Sequence, residues 1–112
     1  MDVSRAIHVD RDAEFDAWLA EHGATERDVI IAIYKQSSGR QTVTLQDLQA
    51  VALCHGWIDT LGKRIDEERW ALQFRPRRPG SSWSATNRIL VKRLLAEGRM
   101  RPTGLARLPD DL

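Results

Sequence analysis

The sequence predicts an α+β domain, a small antiparallel or mixed sheet of about three strands with helices packed on it. Two kinds of pattern point there. Val29-Ile30-Ile31-Ala32-Ile33-Tyr34 is a run of β-branched residues, which reads as a strand buried on both faces. Trp70, Leu72 and Phe74 alternate with Ala71, Gln73 and Arg75, which reads as a second extended segment. Between and around these runs, apolar residues recur at helical spacing and glycines follow them.

Taken in order, Asp10 or Asp12 is positioned to cap a first helix, in which Phe15, Trp18, Leu19 and His22 form one apolar stripe. Gly23 suits a left-handed cap at its end. The strand 29–34 follows, and Ser37-Ser38-Gly39-Arg40-Gln41 is turn chemistry. Thr44 with Asp47 resembles a capping box and opens a helix carrying Leu45, Leu48, Val51, Ala52 and His55, which Gly56 ends. Trp57-Ile58-Asp59 starts an extended segment, Leu61 to Glu68 would be a hairpin connection, and Arg69 to Phe74 is extended again. Arg75 to Ser82 contains Pro76, Pro79 and Gly80 and reads as irregular. Ser84 caps a last helix whose buried face is Ile89, Val91, Leu94 and Leu95, with Gly98 as its stop and Pro102 and Gly104 in a loop tail. The predicted order is α-β-α-β-β-α.

The 112 residues leave room for one domain, residues 1–112, around one core. With 42% hydrophobic and 29% charged residues the composition is that of a globular chain. No apolar run approaches the ~20 residues that span a bilayer, so membrane insertion is not expected. The first residues, Met1-Asp2-Val3-Ser4-Arg5, show no apolar signal segment, and Cys54 has no second cysteine to pair with; the expected compartment is the cytoplasm. One cysteine and three scattered histidines give no metal-ligand spacing, and no cofactor motif is present.

The net charge of +1 hides an asymmetry. Residues 1–60 hold five Lys/Arg against ten Asp/Glu, and residues 61–112 hold twelve against six. Either the two halves attract each other across the fold, or the basic half awaits an anionic partner.

The most informative segment runs from Phe74 to Arg88. Arg75, Arg77 and Arg78 sit on a proline-stiffened loop that leads into a Ser84-capped helix with Asn87 in its first turn. Guanidinium groups beside a helix N-terminus can bind phosphate, sulfate or carboxylate. The structural alternative is that these arginines pair with the acidic half. Trp57 and Trp83 neighbour polar clusters and could line a pocket, and Asp59 could orient an arginine or histidine. Cys54 and His55 are adjacent on a helix and point about 100° apart, so they do not make a nucleophile–base pair, and a buried role for Cys54 is expected. Nucleic acid is disfavoured, because the pI is about 8.0 and no helix-turn-helix, zinc-finger or RNP-type motif occurs.

The runs Ala52-Leu53-Cys54-His55-Gly56-Trp57-Ile58-Asp59, Phe74-Arg75-Pro76-Arg77, Ser82-Trp83-Ser84 with Asn87, and Leu95-Ala96-Glu97-Gly98-Arg99-Met100 with Gly104-Leu105 resemble the YdeI/OmpD-associated protein family. Phe15, Trp18-Leu19 and Tyr34-Lys35 fit the same pattern, so the resemblance covers about residues 12–106. It implies a small cytoplasmic bacterial protein of the kind labelled bacteriocin-protection protein and linked to tolerance of cationic antimicrobial peptides. It implies no reaction or cofactor, so no catalytic residue is carried over. The sequence departs from the pattern at His55, where an aromatic is more usual, and in ending at Leu112, where relatives continue into a helical C-terminal region. Either it is a short member or a truncated chain.

The expected function is therefore non-enzymatic binding of a small anionic molecule at Trp57, Asp59, Arg75, Arg77, Arg78, Trp83, Ser84 and Asn87. Two alternatives stand beside it. A small enzyme would use His55 or Asp59 as general base, within ~3 Å of a substrate proton. An adaptor would bind a protein partner through the basic half and needs an exposed apolar patch above a few hundred Å².

Overall fold

The β-branched run lies in the interior of the sheet, where strands on both sides take its backbone hydrogen bonds and both faces shed water. The computed structural model describes all 112 residues. In chain order the elements are β1 (Ile7–His8), α1 (Asp12–His22), β2 (Val29–Tyr34), α2 (Leu45–Cys54), β3 (Trp57–Arg64), β4 (Arg69–Pro76), α3 (Ala85–Ala96) and α4 (Pro102–Leu105). Short 3-10 turns stand at Val3–Arg5 and Gln36–Ser38. The sheet is four-stranded in the order β1-β2-β4-β3, with β1 parallel to β2 and the other pairs antiparallel. The α+β class holds, and the fourth strand is β1, a two-residue edge too short to leave a period in the sequence.

One face of the sheet carries Val29, Ile31, Ile33, Leu72 and Phe74, and α1 and α2 cover it with Phe15, Leu19, Leu48, Val51 and Ala52. Phe15 and Phe74 meet with ring centroids 4.8 Å apart, at the centre of this cluster. A second cluster forms on the far side of α2, where Ala50, Leu53 and Cys54 meet Leu94 of α3, with Trp83, Leu90 and Met100 packed around them. Helix α2 is thus buried on two sides, which is why Leu48, Ala50, Val51, Ala52, Leu53 and Cys54 are all inaccessible.

Local chemistry explains most boundaries. The Thr44 hydroxyl accepts from the Asp47 N–H and the Asp47 carboxylate accepts from the Thr44 N–H, closing the capping box. Gly56 ends α2 at φ +77°, and a side chain there would also meet the Thr103 carbonyl at 2.8 Å. Ser84 caps α3 by accepting from the Asn87 N–H.

Five expectations need correction. Neither Asp10 nor Asp12 caps α1; the Glu14 carboxylate reaches back to accept from the Asp10 and Arg11 N–H groups. Gly23 is right-handed, at φ −63°, and its lack of a side chain matters because a Cβ would meet the Leu19 carbonyl oxygen at 2.5 Å. The hairpin connection is short: β3, an outer strand that exposed polar residues suit, runs on to Arg64, and β4 continues to Pro76. On α3 the buried residues are Val91 and Leu94, while Ile89 is 71% exposed; Leu90 lies on the packed side. The tail forms α4, with Pro102 in the first turn where its missing N–H costs nothing.

Candidate functional site

The arginine loop begins where β4 ends. Pro76 pairs with Trp57, the first residue of β3, and the chain then leaves the sheet toward α3. Its backbone is tied down at Arg77, whose N–H donates to the Gly56 carbonyl at 2.8 Å and whose carbonyl accepts from Arg107 Nη1 at 2.7 Å. These bonds fix the direction of the Arg77 side chain. It is only 3% exposed, its guanidinium carbon stands 3.9 Å from the centre of the Trp83 ring, and Nη2 donates to the Ser82 carbonyl. Nε and Nη1 are buried without a hydrogen-bond partner. No carboxylate lies within 4.0 Å of Arg77, and burial lowers its pKa from the ordinary guanidinium value.

Arg77 lines a cavity of about 310 Å³ with Arg75, Arg78, Ser81, Ser82, Thr60, Ile58 and Pro76. Arg75 and Arg78 are exposed at its mouth. Thr60 is the extra residue of a β-bulge, standing between the pairs Asp59–Phe74 and Leu61–Gln73, and its hydroxyl faces Gln73 Oε1 at 3.2 Å. Three of the eight lining residues are arginines and none is acidic, so the cavity is cationic.

The structure divides the eight expected site residues. Arg75, Arg77 and Arg78 come together in the cavity, and Trp83 backs Arg77. Trp57 does not join them: it is 2% exposed, in the main core, edge-on to Trp18 with centroids 5.9 Å apart. Asp59 accepts from Gln49 at 3.3 Å and pairs with no arginine. The Ser84 hydroxyl accepts from the Asn87 backbone N–H at the start of α3, and neither residue lines the cavity. Of the basic second half, only Arg101 forms an ion pair with an acid of the first half, Asp16. Attraction between the halves therefore does not account for the arginine loop. Ser81, Ser82 and Thr60 were not expected in the site; a bulge and a loop reversal bring them in, and neither leaves a residue-type signal.

A larger cavity, about 560 Å³, lies elsewhere, between α1, α2 and the segment joining α3 to α4. At its wall Asp16 Oδ1 is 2.7 Å from His55 Nε2, and Asp16 Oδ2 accepts from Arg101 at 3.1 Å. Burial pushes the Asp16 carboxyl up, but His55 and Arg101 outweigh it and hold the pKa below the ordinary carboxylate value. Cys54 also lines this cavity as a buried free thiol, its pKa raised by burial. No group of three or more His, Cys, Asp or Glu side chains gathers closely enough to hold a metal ion. No helix is long and apolar enough to cross a membrane.

Neither a curated protein nor a solved structure matches the chain. Residues 7–107, nearly all of the fold described above, match the family described as Domain of unknown function (DUF8412), and the chain belongs to that family.

Proposed function

We propose that this protein is a non-enzymatic binding domain that takes a small anion into the cavity of Arg75, Arg77 and Arg78. One observation carries the reading: a guanidinium 3% exposed, lining a cationic cavity, has two donor nitrogens with no partner and no carboxylate in reach. A buried charged donor left unsatisfied costs several kcal/mol, a cost that a counter-charge offsets, and a phosphate, sulfate or carboxylate offers both charge and acceptors. The volume of about 310 Å³ suits a small ligand rather than a chain. The general-base alternative has less support, since His55 is 6% exposed with Nε2 against Asp16, and Asp59 is half-buried and bonded to Gln49. The adaptor reading gains little, because the exposed large apolar residues are dispersed over β1, β3, β4, α3, α4 and the C-terminus. A cytoplasmic setting in bacterial tolerance of cationic peptides rests on the YdeI/OmpD-associated resemblance.

Thermal unfolding in phosphate, sulfate, acetate and adenosine monophosphate, at low and moderate salt, tests the proposal. An anion at 100 times its dissociation constant should stabilise the domain by roughly 2.7 kcal/mol. Arg75→Ala and Arg78→Ala change exposed positions and leave the fold standing; each should weaken that stabilisation. No stabilisation by any anion, or stabilisation unchanged in both variants, would sink the proposal.

A further inference from the structure

The 560 Å³ cavity has charges of opposite sign on opposite walls. Asp12 and Asp16 stand one turn apart on α1, so their carboxylates share a helix face, an arrangement of like charges that disfavours itself. Arg99 and Arg101 face the same space from the segment between α3 and α4. Four of the ten lining residues are hydrophobic, Val51 and Met100 among them.

The internal hydrogen bonds use up only part of this charge. Both oxygens of Asp16 are taken, by His55 and by Arg101. Asp12 forms no ion pair, and Arg99 has only the Glu97 contact at 3.5 Å. An uncommitted carboxylate and a loosely held guanidinium thus share one cavity with apolar side chains. A ligand that satisfies both must carry a cation and an anion a few bonds apart, with an apolar group beside them.

We propose that this cavity is a second binding site, for a zwitterion of the class of a free α-amino acid with an apolar side chain. Its ammonium meets Asp12, its carboxylate meets Arg99, and its side chain lies beside Val51 and Met100. The site shares no residue with the arginine-loop cavity, so the two stand or fall separately.

The test is a methyl and amide NMR titration of the whole chain with L-leucine, L-methionine and L-phenylalanine, each beside its amide and its N-acetyl derivative. At least one free amino acid should shift the Val51 and Met100 methyls saturably. Its amide and N-acetyl forms, each lacking one charge, should bind about tenfold more weakly or worse. Asp12→Asn and Arg99→Gln, both at exposed helix or loop positions, should keep a folded spectrum and weaken the free amino acid to the level of its singly charged derivatives. The proposal is overturned if none of the three amino acids shifts those methyls, if a singly charged derivative binds as tightly as its parent, or if neither variant alters the affinity.

Discussion

Arg101 and Arg77 solve opposite problems. Arg101 keeps its side chain 51% exposed and pairs with Asp16, which in turn holds the buried His55. Arg77 is 3% exposed, stacked on Trp83, and leaves two donors unpaired. Burial and pairing, which ordinarily go together for a guanidinium, are separated between the two. An exposed pair of this kind contributes little stability and serves to set geometry. A buried unpaired one costs stability and makes sense where something else completes it. The Arg101 region is structurally self-sufficient, and the Arg77 region is not.

The Arg101 region can be broken outright at Gly104. A side chain there would stand 2.2 Å from the Cys54 carbonyl oxygen, which also accepts from the Arg101 N–H at 2.9 Å. That carbonyl is backbone and cannot swing away. Gly104→Ala should destabilise the domain by about 3 kcal/mol, the upper part of the usual range for overpacking. Urea unfolding would measure it, and a loss under about 1 kcal/mol would mean that α4 is not anchored as described.

Asp16 comes next. Asp16→Ala leaves the buried His55 without its partner and should cost about 2 kcal/mol at neutral pH, the penalty for orphaning a buried polar group. Asp16→Asn isolates the charge. Because the folded carboxyl titrates below its ordinary value of 3.8, its charge stabilises the fold above that pH. That contribution falls away as pH drops through the lowered value. The stability gap between wild type and Asp16→Asn should therefore be level on the alkaline side of the ordinary value and close at lower pH. A gap that widens on acidification would reverse the sign assigned here.

The two regions also differ in how far they could be read from sequence. The arginine loop was legible because its chemistry is local: Arg75, Arg77, Arg78 and Trp83 lie within a few positions, and proline and serine mark where the strand stops and the helix starts. Capping at Thr44 and Ser84 was legible for the same reason. What failed was orientation. Trp57 looked like a pocket wall, but the sequence does not say that Trp18 packs against it in the core. The Asp16–His55–Arg101 chain joins residues 39 and 85 positions apart, and no local pattern announces it. The edge strand β1 was missed because two residues carry no period.

Arg77→Met sharpens the comparison from the other side. Methionine retains an unbranched apolar stem that can lie on Trp83 while removing the charge and its unpaired donors. It also gives up the bond to the Ser82 carbonyl and the cation–π contact, the latter worth about 2 kcal/mol at such a desolvated site. Relief of the desolvation cost opposes that loss, so without added anion the variant should lie within about 1 kcal/mol of wild type. In phosphate the two should separate, because only wild type has a guanidinium to complete. Thermal melts with and without phosphate decide it. A variant several kcal/mol less stable in plain buffer would mean that Arg77 holds the loop together and needs no ligand. Near-equality in buffer with divergence in phosphate assigns its burial to binding.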